Sequence, residues 1–437
     1  MNTLIDNLVI QNPKRDAKAL VGRTNIYPYY AGFSPSFIHT ILTSRSVPKE
    51  AIIVDPWNGS GTTTTTAAKL GYCTQGYDLN PVMVVAAKAS MLNIRDKSSL
   101  WPIAVDIMSK ALKDKLTVAS NEDPLCIWIM PDSVAIVRRI EKALQILLVD
   151  SNNYQMLRTR NDFNTLSDIA SFFYTALFRS IRSLVDDFIA SNPTWVKKPK
   201  DLSSRIQPSS EVIINKFGTE VQRMIQAIEN EDFNNQSFLG KASIEVASSE
   251  ALPISDESVD FILSSPPYCT RIDYAVATMP ELALLGYGLN NDFQNLRRKL
   301  IGTSTVPQKS ITPLLSWGKT CNLFLQELIK HESKASKTYY YKNHTQYFNA
   351  IHISFSELSR ILHSSGSCII VVQDSYYKNI HNDLPQIFIE MASNHNLKLE
   401  RRVNFNKTRT MADINSRSSK YRKNKLITES VLCFSKT

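Results

Sequence analysis

With 437 residues the chain is too long for one ordinary domain and suits two, or one large domain carrying an insertion. Its 43% hydrophobic and 21% charged residues are those of a globular protein, and no apolar run approaches the roughly 18 residues of a membrane span. The net charge of +10 suits a nucleic-acid partner without requiring one; six single cysteines without CxxC and seven dispersed histidines without HExxH argue against a disulfide framework and a metal site.

The N-terminus MNTLIDNLVIQNPKRDAK lacks the charged-then-apolar order of a signal peptide, so a cytoplasmic location is expected. Residues 51–95 then read as strand, tight turn, helix, strand, helix: AIIVDP, NGSG, TTTTTAAKLG, CTQGYDL and PVMVVAAKASMLN. That order opens a parallel sheet. From 97 to 240 the character changes to long amphipathic stretches, SDIASFFYTALFRSIRSLVDDFIA (167–190) and SEVIINKFGTEVQRMIQAIENE (210–231), which predict a mostly helical insertion. SNPTWVKKPKDLSSR (191–205) reads as an exposed loop within it, and the short run LCIWIM as a strand.

Strand character returns with ASIEVAS (242–248) and VDFILSS (259–265), the second running directly into Pro266-Pro267-Tyr268. Helices are expected near 278–301 and 313–330, and a third, TQYFNAIHISFSELSRILHSSG, ends on Gly366 in the manner of a C-capped helix. SCIIVVQDS is a buried-strand pattern. A helix over 383–396 and an antiparallel pair, LKLERRVNF and ESVLCFS, complete the chain.

Two constellations carry chemistry. Asp55-Pro56-Trp57-Asn58-Gly59-Ser60-Gly61-Thr62 lies between an apolar strand and a helix, where glycines let backbone approach a ligand and the helix start offers N–H groups. Asp78 stands at the end of the next strand, where an acid can accept both hydroxyl hydrogens of a ribose. The pattern is not GxGxxG, and Asp55 suits a cationic group better than a pyrophosphate. The bland alternative is a tight turn with an acidic cap.

The second constellation is Ser264-Ser265-Pro266-Pro267-Tyr268. Neither proline can donate to a sheet ladder, so both stiffen a loop at the strand exit. Ser265 and the Pro266 carbonyl can accept the N–H groups of an exocyclic amine, a poor nucleophile whose lone pair is delocalised, while Tyr268 stacks on a base taken out of its helix. By itself this segment also reads as an ordinary loop.

DPWNGSGTT with GYDLNP, and SSPPY after VDFIL, resemble the cofactor and catalytic motifs of the DNA amino-methyltransferases. The resemblance covers about 1–95 and 241–437, and it implies an α/β fold: a Rossmann-like S-adenosylmethionine-dependent methyltransferase sheet with a central, mostly helical insertion. It implies that Asp55, Trp57, Gly59, Ser60, Gly61, Thr62 and Asp78 bind S-adenosylmethionine, and that Ser265, Pro266, Pro267 and Tyr268 hold the target amine. YPYYAGFSPSFIHTIL (27–42) is similar to a segment that packs over the methionine end in this family. The serine form of the tetrapeptide is typical of N4-cytosine enzymes and the aspartate form of N6-adenine enzymes. Trp57 departs from the usual phenylalanine.

The chain then divides into a cofactor part (1–96), an insertion that reads the target (97–240) and a catalytic part (241–437). Double-stranded DNA is the expected partner, with a restriction or defence partner possible, and no membrane or metal. Asn192, Trp195, Lys197, Lys198 and Arg205 are candidate DNA contacts in the insertion, where Trp195 can equally pack inward. Arg271 either meets a phosphate or pairs with Asp273, and Arg297-Arg298-Lys299 is a solvated face or a DNA contact. Nine Lys/Arg against one acid between Arg401 and Lys425, Arg409 and Arg417 among them, form a solvated loop or a phosphate-contacting surface. Gln373, Asp374 and Tyr376 stand at a strand end where ligand residues collect.

Overall fold

The computed structural model describes residues 3–14, 22–28, 32–44, 47–115, 118–150, 154–190, 194–230, 238–269, 272–289, 291–307, 309–407 and 427–437. Nine strands occur among them: β1 (Ile52–Asp55), β2 (Cys73–Asp78), β3 (Ala242–Val246), β4 (Val259–Ser264), β5 (Leu362–Gln373), β6 (Ser375–Tyr377), β7 (Ile380–Asn382), β8 (Leu397–Lys407) and β9 (Ile427–Lys436). Seven make one sheet in the order β3-β2-β1-β4-β5-β9-β8, and β6 and β7 form a separate hairpin. β1 to β5 pair in parallel and β9 runs antiparallel to both neighbours. This is a Rossmann-like α/β sheet.

Its register follows from alternation on two apolar faces. Phe261 and Leu263 of β4, Ile369 and Val371 of β5, and Val431 and Cys433 of β9 share one core with the helix Pro35–Leu42. Ile262, Ile370 and Leu432 point to the other, against helices Lys319–Lys330, Tyr341–Ile361 and Leu384–Ser393. Strand order reverses at β1, which pairs with β2 on one side and β4 on the other. A crevice at the carboxyl ends of β1 and β4 is the place where such sheets bind ligands.

Helices Lys97–Lys113, Pro131–Leu148, Asp168–Leu184 and Ser210–Glu229 build the insertion. Together with β3 and the helix Thr62–Lys69 they bury the helix Pro81–Ser90 completely, and they share a core with the segment 275–300. Three arginine clusters stitch them to the segments around 25–27 and 277–284. Arg138 bonds Asp123 and Glu141, and donates to the carbonyls of Ala283 and Leu284 at the end of the helix Met279–Leu284. Arg182 pairs with the fully buried Glu281, which also accepts from Tyr27. Arg179 pairs with Glu220 and donates to Asn25 and Ile26.

Two local expectations are corrected. LCIWIM is not a strand: Asp123 caps Leu125 N–H, Pro124 takes the first position, and a 3-10 turn spans Pro124–Ile127. Gly366 caps no helix either, because the helix Tyr341–Ile361 passes directly into β5. Gly366 lies inside that strand, where a Cβ would stand 2.7 Å from Leu362 and 3.0 Å from the Asp260 carbonyl. There the β4–β5 register shifts between Val259 and Phe261.

Candidate active site

The cofactor-type turn is built by backbone approach. Asn58 donates its N–H to Tyr77 O at 2.9 Å, which pins the turn onto β2, and its carbonyl accepts from Gly61 at 2.8 Å. Gly59 and Gly61 have φ of 49° and 85°, and a Cβ on Gly61 would meet Ala87 Cβ at 2.9 Å. Gly61 therefore allows both the left-handed start of the helix Thr62–Lys69 and its contact with the helix Pro81–Ser90. Gly76, inside β2, plays an equal part: a Cβ there would lie 2.5 Å from the Asn58 amide.

Two carboxyls frame this turn. Asp55, 3% exposed, accepts from Trp57 N–H at 3.1 Å and from the Ser264 hydroxyl at the end of β4. Burial pushes its carboxyl up to about 6, against the lowering effect of the Ser264 and Thr63 hydroxyls and of Trp57 N–H. Asp78 Oδ2 accepts from Gly59 N–H at 3.0 Å and Oδ1 from Asn80 N–H at 2.8 Å. Burial pushes it likewise up to about 6, opposed by those two bonds and assisted by the nearby Asp55. Backbone N–H groups hold both carboxyls, joined at Asp55 by the Ser264 hydroxyl. The Trp57 indole Nε1 is buried without a hydrogen-bond partner, while Ser60 and Thr62 line the half-exposed side of the turn.

The second loop lies beside the first. β1 and β4 pair through Ile53–Phe261 and Val54–Ile262, so their ends place Asp55 against Ser264 and lead Ser265, Pro266, Pro267 and Tyr268 over the crevice. Tyr347, on the helix behind, donates to Pro267 O at 2.9 Å and holds the loop down. Ser265 Oγ donates to the Tyr268 phenol at 3.4 Å, and Tyr268 donates to Glu429 Oε1 at 3.1 Å. Burial first, then the Glu429 charge, raises the Tyr268 phenol well above its ordinary range.

A cavity of about 450 Å³, within the roughly 300–1,000 Å³ of small-molecule sites, opens beside Leu79 and Cys269, one residue past Asp78 and Tyr268. Leu79, Cys269, Gly302, Asn343, Gln346 and Tyr347 line it. Its roof is tied by Asp273, which accepts from Arg297 at 2.8 Å and from the Ser304 hydroxyl at 2.7 Å. Asp273 therefore pairs with Arg297, and Arg297 leaves the solvated face expected for it; Arg298 and Lys299 stay exposed at the cavity rim. Asp374 bonds His381 at 3.0 Å and Thr428 N–H at 2.9 Å, structural contacts at the β5 exit.

The candidate DNA contacts are spread wider. Trp195 is 39% exposed, and Lys197 and Lys198 are exposed on the same loop, which hangs from Trp128 Nε1 through Lys197 O at 2.8 Å. Arg205 instead donates to the Leu202 and Cys126 carbonyls. Asn192, Arg271, Arg409 and Arg417 lie outside the described residues. Among the described residues no cluster of three or more His, Cys, Asp or Glu could hold a metal ion, and no helix is long and apolar enough to cross a membrane.

Sequence reasoning singled out Ser265 but assigned nothing to Ser264, Gly76 or Glu429. A glycine inside a strand signals close backbone approach, and an acid inside the apolar run ITESVLCFS signals a buried partner; both cues stand in the sequence.

No protein-family model matches the chain. The Type II methyltransferase M.BsoBI of Geobacillus stearothermophilus is 25% identical over 274 residues, covering 59% of this chain and 52% of that protein. The chain thus spans about half the length of the curated relative it matches.

Proposed function

We propose that this chain moves a methyl group from S-adenosylmethionine to the exocyclic amine of a base flipped out of double-stranded DNA, with cytosine N4 as the target. The observation that carries the reading is the Asp55–Ser264 hydrogen bond, which joins the cofactor-type turn to the Ser-Pro-Pro-Tyr loop at the strand-order switch. Likeness to a Type II methyltransferase supports the reaction class. The serine of the tetrapeptide supports cytosine.

The residues present fit the donor. Asp78, at the end of β2 next to Leu79 of the cavity lining, is the ribose acceptor of this reading, and Gly59, which donates its N–H to Asp78, ties it to the turn whose Ser60 and Thr62 are half-exposed. When bound, S-adenosylmethionine supplies an electrophilic methyl on a sulfonium that leaves readily. The chain's part is orientation: Ser265 Oγ and the Pro266 carbonyl accept the amine N–H groups, Tyr347 having taken the Pro267 carbonyl. Two prolines keep those acceptors still, and Tyr268 stacks on the base. Holding nitrogen about 3 Å from the methyl provides much of the rate. No strong base is required, because the nitrogen loses its extra proton to water after the methyl has transferred and the sulfonium has left as a neutral thioether.

In this reading the insertion touches the target through Trp195, Lys197 and Lys198, with Arg271, Arg409 and Arg417 as further phosphate contacts. The test is transfer of labelled methyl groups to DNA, followed by digestion to nucleosides and mass spectrometry. N4-methylcytosine is expected. N6-methyladenine overturns the cytosine assignment, and label found only in RNA overturns the substrate class.

A further inference from the structure

We infer that Glu429 is a positioning residue that sets the direction of the Ser265–Tyr268 hydrogen-bond chain, making Ser265 an acceptor and the site selective for an amine over a carbonyl. The inference rests on the methyl-transfer reading and adds to it a residue 164 positions beyond Ser265 in the chain.

Glu429 is the third residue of β9, 4% exposed, and faces the catalytic loop across the sheet end, with Gln373 as its neighbour on β5. A carboxylate offers acceptor sites only. The phenol hydrogen of Tyr268 must therefore lie on Glu429, at 3.1 Å. The phenol oxygen is left to accept, and its nearest hydroxyl is Ser265 Oγ at 3.4 Å. This contact is longer than an ideal hydroxyl bond, and loops of this kind tighten when a substrate is held. With its hydrogen turned toward Tyr268, Ser265 presents lone pairs to the crevice.

An exocyclic amine brings N–H donors and is accepted. The O4 of thymine or O6 of guanine brings lone pairs and is repelled. The high phenol pKa of Tyr268 keeps that hydroxyl a donor throughout the working range. A glutamine at 429 would remove this constraint: its amide N–H can donate to Tyr268, after which Tyr268 can donate to Ser265 and the serine hydrogen can turn into the crevice.

The experiment uses the full chain with labelled S-adenosylmethionine and a duplex, in single turnover, with cofactor affinity followed by calorimetry. Glu429→Gln is expected to slow transfer by about tenfold or more, the scale of one misplaced hydrogen-bonding group at a reacting centre, with cofactor affinity held within about twofold. Glu429→Asp, which keeps an acceptor-only group, should recover part of the rate. In a Tyr268→Phe background the chain is already cut, so Glu429→Gln should change the rate by less than about twofold.

Wild-type speed in Glu429→Gln overturns the inference, as does a loss that multiplies fully onto Tyr268→Phe or a matching loss of cofactor affinity. A second arm needs no activity: in protein with ring-labelled tyrosine, the NMR signal absent from Tyr268→Phe should move in Glu429→Gln. A signal that stays in place overturns the inference even if transfer is seen. A wild-type chain that methylates no DNA while this signal moves sinks the functional reading and leaves the Tyr268–Glu429 polarity intact.

Discussion

The sheet ends and the helical insertion both bury acids, and they treat them oppositely. In the insertion each buried carboxylate meets an arginine: Asp123 and Glu141 share Arg138, and Glu220 meets Arg179; Glu281, on the helix packed against it, meets the insertion's Arg182. Burial opposes the Arg138 charge, yet Glu141 and Asp123 outweigh it and hold the guanidinium well above its ordinary range. At the sheet ends Asp55 and Asp78 are held by hydroxyl and N–H groups, and burial lifts both to about 6. Paired acids lock architecture. Burial raises the paired Glu141 as well, so the contrast lies in the partners, an arginine in one case and N–H and hydroxyl groups in the other.

The sharpest way to break the contrast is at Arg138. Arg138→Met strands Asp123 and Glu141 in the core and should cost about 3–5 kcal/mol of stability, read by urea unfolding. If unfolding is unchanged, the insertion is not held by its ion pairs. Next comes Ser265→Ala, which should slow methyl transfer about a hundredfold through loss of one preorganised acceptor, with urea midpoint and cofactor affinity retained. A parallel drop in stability would put Ser265 among the structural groups instead.

Asp78→Asn should weaken cofactor binding about ten- to hundredfold, the worth of charged hydrogen bonds, while leaving the fold intact, which calorimetry and urea melts separate. The wild-type carboxyl must be ionised to accept two hydroxyl hydrogens, so cofactor affinity should fall as pH drops below about 6 and Asp78→Asn should flatten that dependence. The stability term has the opposite slope. A carboxyl whose folded pKa is raised stabilises the fold at low pH, and that contribution is lost as pH rises through about 6. An affinity that is constant between pH 5 and 7 would remove Asp78 from the binding site.

The smallest effect on folding is expected at the exposed loop. Lys197→Ala with Lys198→Ala should shift stability by less than about 0.5 kcal/mol yet weaken DNA binding, lowering the salt slope by about one per lysine. An unchanged slope would leave the insertion with an architectural role alone.

Much of the site was legible because it is written in steric rules. Strand, GSG turn and threonine-rich helix stand in order around Asp55, and the double proline marks the exit of β4, so both loops and most of the sheet could be laid out along the chain. The misreadings came where a local cue had a competing use. Gly366 looked like a helix cap because glycine tolerates left-handed backbone, but its small size serves a strand at a register shift. LCIWIM looked like a strand from its apolar run, but Asp123 and Pro124 start a turn before the run can extend.

By itself, then, the sequence determined the parallel α/β frame, the two loops at the ends of β1 and β4 and the helical nature of the insertion, since each follows from periodicity, glycine and proline over a few neighbouring residues. Only the tertiary structure decided that Ser264 closes on Asp55 across 209 positions, that Tyr268 is held by Glu429 across 161, and that Asp273 belongs to Arg297. Partner choice and burial are properties of whatever packs around a group. Chain neighbours report on them weakly, because the groups beside Asp55 and Asp78 include Ser264 of β4 and Val246 of β3, which the chain reaches only after the whole insertion.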